Sequence, residues 1–219
     1  MILSDDEITK AIGRGDIVID PFDIDSLGPN SYDVHLSEHL ACHKPRREQF
    51  KYGCLTLPID AAVLNPIERF HIPSCGFDLQ PGRLYLASTV EYTETRGLIP
   101  YLDGKSSVGR LGIQVHLTAG RGDAGFKGHW TLEMSVVERV RVYAGMPIAQ
   151  LTYHVIFGTV LRPYDKKPTA KYNNRNPEPM PSQMWKNFAP KCETCGKQVR
   201  DGLRFCQGLS ECWKKGNGV

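Results

Sequence analysis

The sequence predicts a mainly β fold, a jelly-roll or distorted barrel, and three observations lead to that class. Apolar residues recur with a period of two over short stretches, as in Ser31 to Leu36 and Leu84 to Tyr92. Glycine and proline, 21 and 15 residues in a chain of 219, punctuate those stretches too closely for long helices. Helical periodicity is confined to one segment near the N-terminus. Short strands separated by turn signals pack as two facing sheets or as one sheet closed on itself.

Taken in order, Ser4 followed by Glu7 is a capping-box pattern, and Ile8, Ala11 and Ile12 give one apolar face. A short helix is expected over residues 5–12, stopped by Gly13 and Gly15. Ile17 to Ile19 reads as a brief strand ended by Pro21, Gly28-Pro29-Asn30 as a turn, and residues 31–36 as a strand. Residues 37–62 show no clear period, and Lys44-Pro45-Arg46-Arg47 is expected as a solvated loop. After the Pro81-Gly82 turn, Leu84, Leu86, Ser88, Val90 and Tyr92 lie on one side of an alternating strand. Further strands are expected at 99–102, 130–137, 140–143 and 148–157, with Gly145-Met146 as the turn before the last. From Arg162 onward Pro163, Pro168, Pro177, Pro179 and Pro181 interrupt any regular element among basic residues. That stretch reads as an arm, either disordered or folded over a site. The organisation is thus a β core over 1–160, an arm over 161–188 and a Cys-rich tail over 189–219.

Composition narrows the class of partner. The chain is 41% hydrophobic and 23% charged, with a net charge of +3, which argues for neither nucleic acid nor a membrane as main partner. No window approaches 18 consecutive apolar residues, so no transmembrane helix is expected. An acidic first turn without a signal-peptide apolar region, and an odd total of seven cysteines, fit a reducing, cytoplasmic setting.

Chemistry concentrates between Leu102 and Met134. Lys105-Ser106-Ser107 sits between Gly104 and Gly109, with Arg110 following; small residues, hydroxyls and cationic side chains together suit phosphate oxygens, although the Walker A spacing is missing. An ordinary polar turn is the competing reading. In Trp130-Thr131-Leu132-Glu133-Met134-Ser135-Val136 the strand period places Glu133 with Thr131 and Ser135, opposite Leu132, Met134 and Val136. Glu133 is either a carboxylate on a solvated face or a general base in a semi-apolar pocket. Asp123, between Gly122 and Ala124, is either a turn aspartate or an acceptor for a sugar hydroxyl.

Several motifs, in order and at matching separations, resemble the dCTP deaminase branch of the trimeric dUTPase superfamily. They are Met1 to Asp5, Gly28 to Val34, Gly104 to Gly112, Thr118 to Gly128, Thr131 to Glu133, Gly145 to Leu151, Arg162 to Tyr164 and Ala170 to Tyr172, within residues 1–188. The resemblance implies a dUTPase-like distorted β-barrel and a homotrimer with sites shared between subunits. It puts Glu133 at the position of the catalytic glutamate, with Ser106 and the Ala119 carbonyl orienting the attacking water and Arg110 supporting the site. It also implies that Lys105, Ser106, Ser107, Val108, Gly109 and Arg110 hold the triphosphate and Asp123 takes the 3′-hydroxyl. Thr131, Leu132 and Glu133 would line the base, while Gln150, Tyr164, Lys171 and Arg175 complete the nucleotide site. Magnesium would ride on the nucleotide phosphates, without protein ligands.

Cytosine deamination needs an activated water and a proton shuttle, which one glutamate can supply. The zinc-dependent route needs His-x-Glu with a Pro-Cys-x-x-Cys motif. Pro190 to Cys195 superficially offers the second, but none of the seven histidines has a glutamate two residues on. The main expectation is a dCTP deaminase releasing dUTP and ammonia. The alternatives are a bifunctional dCTP deaminase/dUTPase giving dUMP and pyrophosphate, a deaminase of a modified dCTP, and a non-catalytic nucleotide-binding regulator. Thr118-Ala119-Gly120 and Gln150 resemble the bifunctional group, whereas Arg121 resembles the dUTP-releasing one. Three further departures from the family pattern are Gly122, where a branched apolar residue is usual, Arg175, where glutamine is usual, and the bulky pair His129-Trp130. Beyond the resemblance, Cys192, Cys195, Cys206 and Cys212 are spaced compatibly with a four-thiolate structural zinc site, a zinc-knuckle-like appendage; free thiols or a disulfide pair are the alternatives.

Overall fold

The computed structural model describes residues 1–50, 53–173 and 175–188, with backbone alone at 46–50 and 53–56. Cys192, Cys195, Cys206 and Cys212, and with them the expected zinc-binding tail, lie outside the described residues. The chain divides into two units, residues 1–44 with 67–181 and residues 45–66 with 182–219.

The larger unit opens with α1 (Asp5–Arg14), whose Ser4 cap accepts the Glu7 N–H at 3.4 Å and which ends on left-handed Gly15. Its strands are β1 (Ile17–Asp20), β2 (Leu27–Gly28) and β3 (Ser31–His43), then β6 (Ile67–His71), β7 (Phe77–Leu79), β8 (Tyr85–Thr95) and β9 (Leu98–Gly104). A four-residue helix, α2 (Ser106–Gly109), precedes β10 (Ile113–Gln114), β11 (Lys127–Val136), β12 (Val140–Val142) and β13 (Pro147–Val155). Among the described residues a nine-stranded sheet runs β10-β11-β8-β3-β13-β9, with β1 on β8 and with β2 and β6 on β3, every pair antiparallel.

The long strand β3 is the hinge of this arrangement. Its first half pairs with β13 and its second half with β8 and β6, and its register against β8 slips between Leu36 and Leu40. Such a slip bends a strand and lets one sheet turn into the other. At the bend the His35 N–H and Nδ1 both meet the carboxylate of Glu91, at 2.9 and 2.6 Å, so a glutamate only 2% exposed has its lone pairs engaged.

The barrel nearly closes through residues 113–122, which seam the two ends of the sheet path together. On the β11 side the Glu133 N–H donates to the Val115 carbonyl at 3.0 Å. On the β9 side the Leu102 N–H donates to the Gly120 carbonyl at 2.6 Å and the Gly122 N–H to the Pro100 carbonyl at 2.8 Å. Tyr32, Val34, Leu36, Leu40, Tyr85, Leu102, Leu132, Met134, Ile148, Leu151 and Tyr153 fill the interior. Burial of that many large side chains, each contributing about 1.5–3 kcal/mol, is the main favourable term. Tyr153 is wholly enclosed, and burial pushes its hydroxyl well above the usual phenol range.

In the second unit β4 (Arg46–Phe50) pairs antiparallel with β5 (Gly53–Leu57), and a 3₁₀ turn spans Met184–Asn187. Arg46 and Arg47 are therefore strand residues, not the solvated loop their charge suggested; only Lys44 and Pro45 of that run lie outside a strand, both exposed.

Candidate active site

Strand β11 carries Glu133, the carboxylate singled out in the sequence. Its burial alternates strictly: Trp130, Leu132, Met134 and Val136 face inward, while His129, Thr131, Glu133 and Ser135 are half-buried. The Leu117 N–H donates to Glu133 Oε2 at 3.2 Å, so the seam that closes the barrel also orients the glutamate. Thr118 and Ala119 follow directly, both exposed. Glu133 thus stands on a rigid strand, with its other carboxylate oxygen free of hydrogen bonds among the described residues.

A second cluster forms where β3, β13 and β9 run side by side. Gln150 is in register with Asp33 on one flank and Asp103 on the other. Its amide donates to the Gly104 carbonyl at 3.4 Å, and Ser31 Oγ donates to its Oε1 at 3.4 Å. Asp33 forms an ion pair with Lys105, the residue that leads into α2. Asp33 is the residue that sequence reasoning missed. Its partner is 72 positions away, and the one local signal is that it shares a strand face with Ser31. On α2, Val108 is buried and anchors the turn, which leaves Ser106, Ser107, Gly109 and Arg110 exposed. Gly104 approaches the Val115 side chain, and the Val115 carbonyl in turn accepts the Glu133 N–H, so residues 104–110 and the Glu133 carboxylate flank one seam.

The arm lies along the sheet of its own chain. Gly125, at φ +87°, lets it approach: a Cβ there would fall 2.8 Å from Asp165 Oδ1 and 3.2 Å from the Tyr164 nitrogen. The Tyr164 N–H donates to the Ala124 carbonyl at 2.7 Å, and the Tyr164 hydroxyl accepts the Lys171 and Tyr172 N–H groups at 3.0 and 3.1 Å. Asn173 Oδ1 accepts the Lys127 N–H at 3.0 Å, and the Met180 N–H donates to Thr131 Oγ1 at 3.1 Å, two residues from Glu133. The Arg175 guanidinium stacks over Tyr92, 5.0 Å from the ring centroid, beside a cleft of about 340 Å³ that it lines with Asp20, Glu94 and His129. Burial would raise the Glu94 carboxyl, but the Tyr92 hydroxyl, Arg96 and Lys127 outweigh it and hold it below its ordinary value.

Asp123 lies exposed at a turn in which its carbonyl accepts the Phe126 N–H at 3.0 Å. Gly122 and Trp130 are neighbours in space. A Cβ on residue 122 would sit 2.6 Å from the indole Cη2 and 2.9 Å from Pro100 Cγ. Trp130 is held there by its indole N–H, which donates to Thr93 Oγ1 at 3.0 Å.

A family model described as dCTP deaminase-like matches residues 2–156. A protein of Leptospira biflexa serovar Patoc is 42% identical over 191 residues, covering 87% of this chain and 100% of that protein. A Clostridium acetobutylicum protein is 41% identical over 188 residues, covering 86% of this chain and 99% of that protein. Both are named dCTP deaminase, dUMP-forming. The crystal structure of 2'-deoxycytidine 5'-triphosphate deaminase from Agrobacterium tumefaciens shares the fold at a TM-score of 0.53 and 19% identity, over 74% of this chain; the match spans about half, 50%, of that longer chain.

Fold and relatives together define a hydrolase on a mainly β, nearly closed barrel. The chain belongs to the dCTP deaminase-like family and is an enzyme of that class. One expectation is corrected: the relatives' names give dUMP, not dUTP, as product. The residues misled for a chemical reason. Glu133 and the Lys105–Arg110 loop suit deamination whichever phosphate product follows, so they do not report the second hydrolysis. Arg121, which resembled the dUTP-releasing group, lies exposed on the seam and bridges Tyr101 through its backbone. No helix of the described residues is long and apolar enough to cross a membrane.

Proposed function

We propose that this chain converts dCTP and two waters to dUMP, pyrophosphate and ammonia. The observation that carries the reading is the setting of Glu133: half-buried on a strand, with one carboxylate oxygen accepting the Leu117 N–H at 3.2 Å and Ala119 two residues beyond that donor. The full-length similarity to relatives named for dUMP formation supports the product.

In this reading Glu133 takes a proton from a water held by the Ala119 carbonyl and Ser106. The resulting hydroxide adds to C4 of cytosine. Glu133 then returns the proton toward the amino group, which leaves as ammonia. Arg110 supports the charge that develops. Lys105 and the exposed residues of α2 receive the triphosphate, with Asp33 and Gln150 holding Lys105 and the loop behind it in place. Hydrolysis of the bond between the α and β phosphates then releases pyrophosphate. Asp123 accepts the 3′-hydroxyl, and Thr131 and Leu132 line the base. Tyr164, Lys171 and Arg175 belong to the arm that covers the nucleotide. The substrate is expected as its magnesium complex, with the metal on the phosphates. Exposed Leu111, Leu117 and Val137 edge the seam and favour burial against neighbouring copies, in keeping with a homotrimer that shares its sites.

Glu133→Gln tests the role of the carboxylate. Glutamine can still accept the Leu117 N–H, so the fold should persist, while ammonia release from dCTP should fall by at least about 100-fold. Undiminished release would sink this mechanism.

A further inference from the structure

Away from the site just described, β3 and β6 bring two histidines and a glutamate together. His39 and His71 are direct cross-strand partners, with ring centroids 5.1 Å apart. Such partners hold their side chains close without any backbone movement. Glu38, as the neighbour of His39 in a regular strand, would point to the opposite face. The register slip between Leu36 and Leu40 removes that alternation: Ser37 turns inward, and Glu38 is left exposed beside half-buried His39. One donor atom from each of Glu38, His39 and His71 lies within 4.8 Å of the other two.

We propose that these three side chains bind a divalent transition-metal ion of the zinc class. The backbone beneath them is fixed, since Ser37 Oγ accepts the His39 N–H at 3.1 Å and the Ile72 N–H donates to the Glu38 carbonyl at 2.8 Å. None of the three side chains makes a hydrogen bond or ion pair among the described residues, so their lone pairs are available. Two imidazoles and one carboxylate select zinc, copper or nickel over magnesium and calcium, which take oxygen ligands. Tetrahedral bonds of about 2.0–2.2 Å place ligand atoms roughly 3.3 Å apart, a closure that side-chain rotations at this exposed corner supply. The site also carries a neighbouring negative charge. Glu178 of the arm pairs with Arg69 at 2.7 Å, and that guanidinium holds its carboxyl below the ordinary range. An ion bound here joins two strands beside the point where the arm crosses them. It is separate from the catalytic carboxylate and from the tail cysteines.

The test uses full-length protein stripped of metal by a chelator, then equilibrated with micromolar zinc and freed of unbound metal by gel filtration. Metal is counted by atomic emission in the wild type, His39→Ala and His71→Ala, each first shown to retain dCTP turnover. Whatever the cysteines bind is common to all three proteins. The wild type should hold one zinc more than either variant, and Glu38→Gln should weaken that extra zinc tenfold or more. Equal zinc content in the wild type and both histidine variants would overturn the site. A readout that needs no variant is carbethoxylation of histidines mapped by mass spectrometry. One zinc equivalent beyond the cysteines' share should protect His39 and His71, and unchanged labelling of both would also overturn it.

Discussion

The indole of Trp130 fills the volume that a side chain on residue 122 would need, and Pro100 closes the same space from the other side. Two residues that looked like separate departures from a family pattern are therefore one exchange of bulk. Gly122→Val is expected to destabilise the protein by about 1–3 kcal/mol through overpacking, and Trp130→Val in the same chain should recover part of that loss. Urea unfolding of the two single variants and the double variant checks the coupling; purely additive losses would contradict it. The face that Glu133 shares with Thr131 and Ser135 was legible in the sequence because the period of a strand assigns faces without any knowledge of the fold, whereas the role proposed for it was implied by the family resemblance alone. Asp33 was not, because its ion pair with Lys105 exists only once β13 has brought β3 and β9 to either side of itself. The bend that sets Glu38 beside His39 was equally hidden: it arises from register against β8, and nothing within β3 announces it.

At the scale of elements, β7 and β12 form a two-stranded ribbon stapled by charge. Asp78 binds both Arg139 and Arg141, with Arg141 Nε 2.6 Å from Oδ1. The hydrogen bonds from Arg141 and then Arg139 hold the Asp78 carboxyl far below its ordinary value. A carboxyl depressed in the folded state adds stability above its unfolded pKa, and that contribution is lost as pH falls toward the folded value. Asp78→Asn should therefore lower the Tm at pH 7, and the gap to the wild type should narrow progressively below about pH 4. Thermal scans between pH 2 and 7 measure it; a gap that widens in acid would contradict the assignment. The strands that alternate or run long, β3, β8, β11 and β13, were expected from the sequence, although most extend past their expected ends. β6 and β7 were not. Ile67–His71 interleaves charges with apolar residues at an edge of the sheet, and Phe77–Leu79 is too short to display a period. The β4–β5 pair was hidden for another reason: Arg46 and Arg47 read as a solvated charge run.

For the whole molecule, the seam at residues 113–122 is what turns a sheet into a nearly closed barrel. It also places Glu133 beside Leu117 and Gly104, which leads into α2, beside Val115. The arm then crosses the same sheet and reaches Thr131 through Met180. Exposed apolar side chains at Leu111, Leu117 and Val137 border this region. Light scattering coupled to gel filtration should return three copies per particle, and charged substitutions at Leu117 or Val137 should reduce both assembly and turnover. A fully active monomer would refute shared sites.

The central claim is one enzyme performing two hydrolyses on one nucleotide. Incubation of the purified protein with magnesium and dCTP, with ammonia, pyrophosphate, dUMP and dUTP each quantified over time, tests it most directly. Ammonia, pyrophosphate and dUMP should rise together in equal amounts without accumulation of dUTP. Accumulation of dUTP at the same rate as ammonia, with no dUMP, would contradict it.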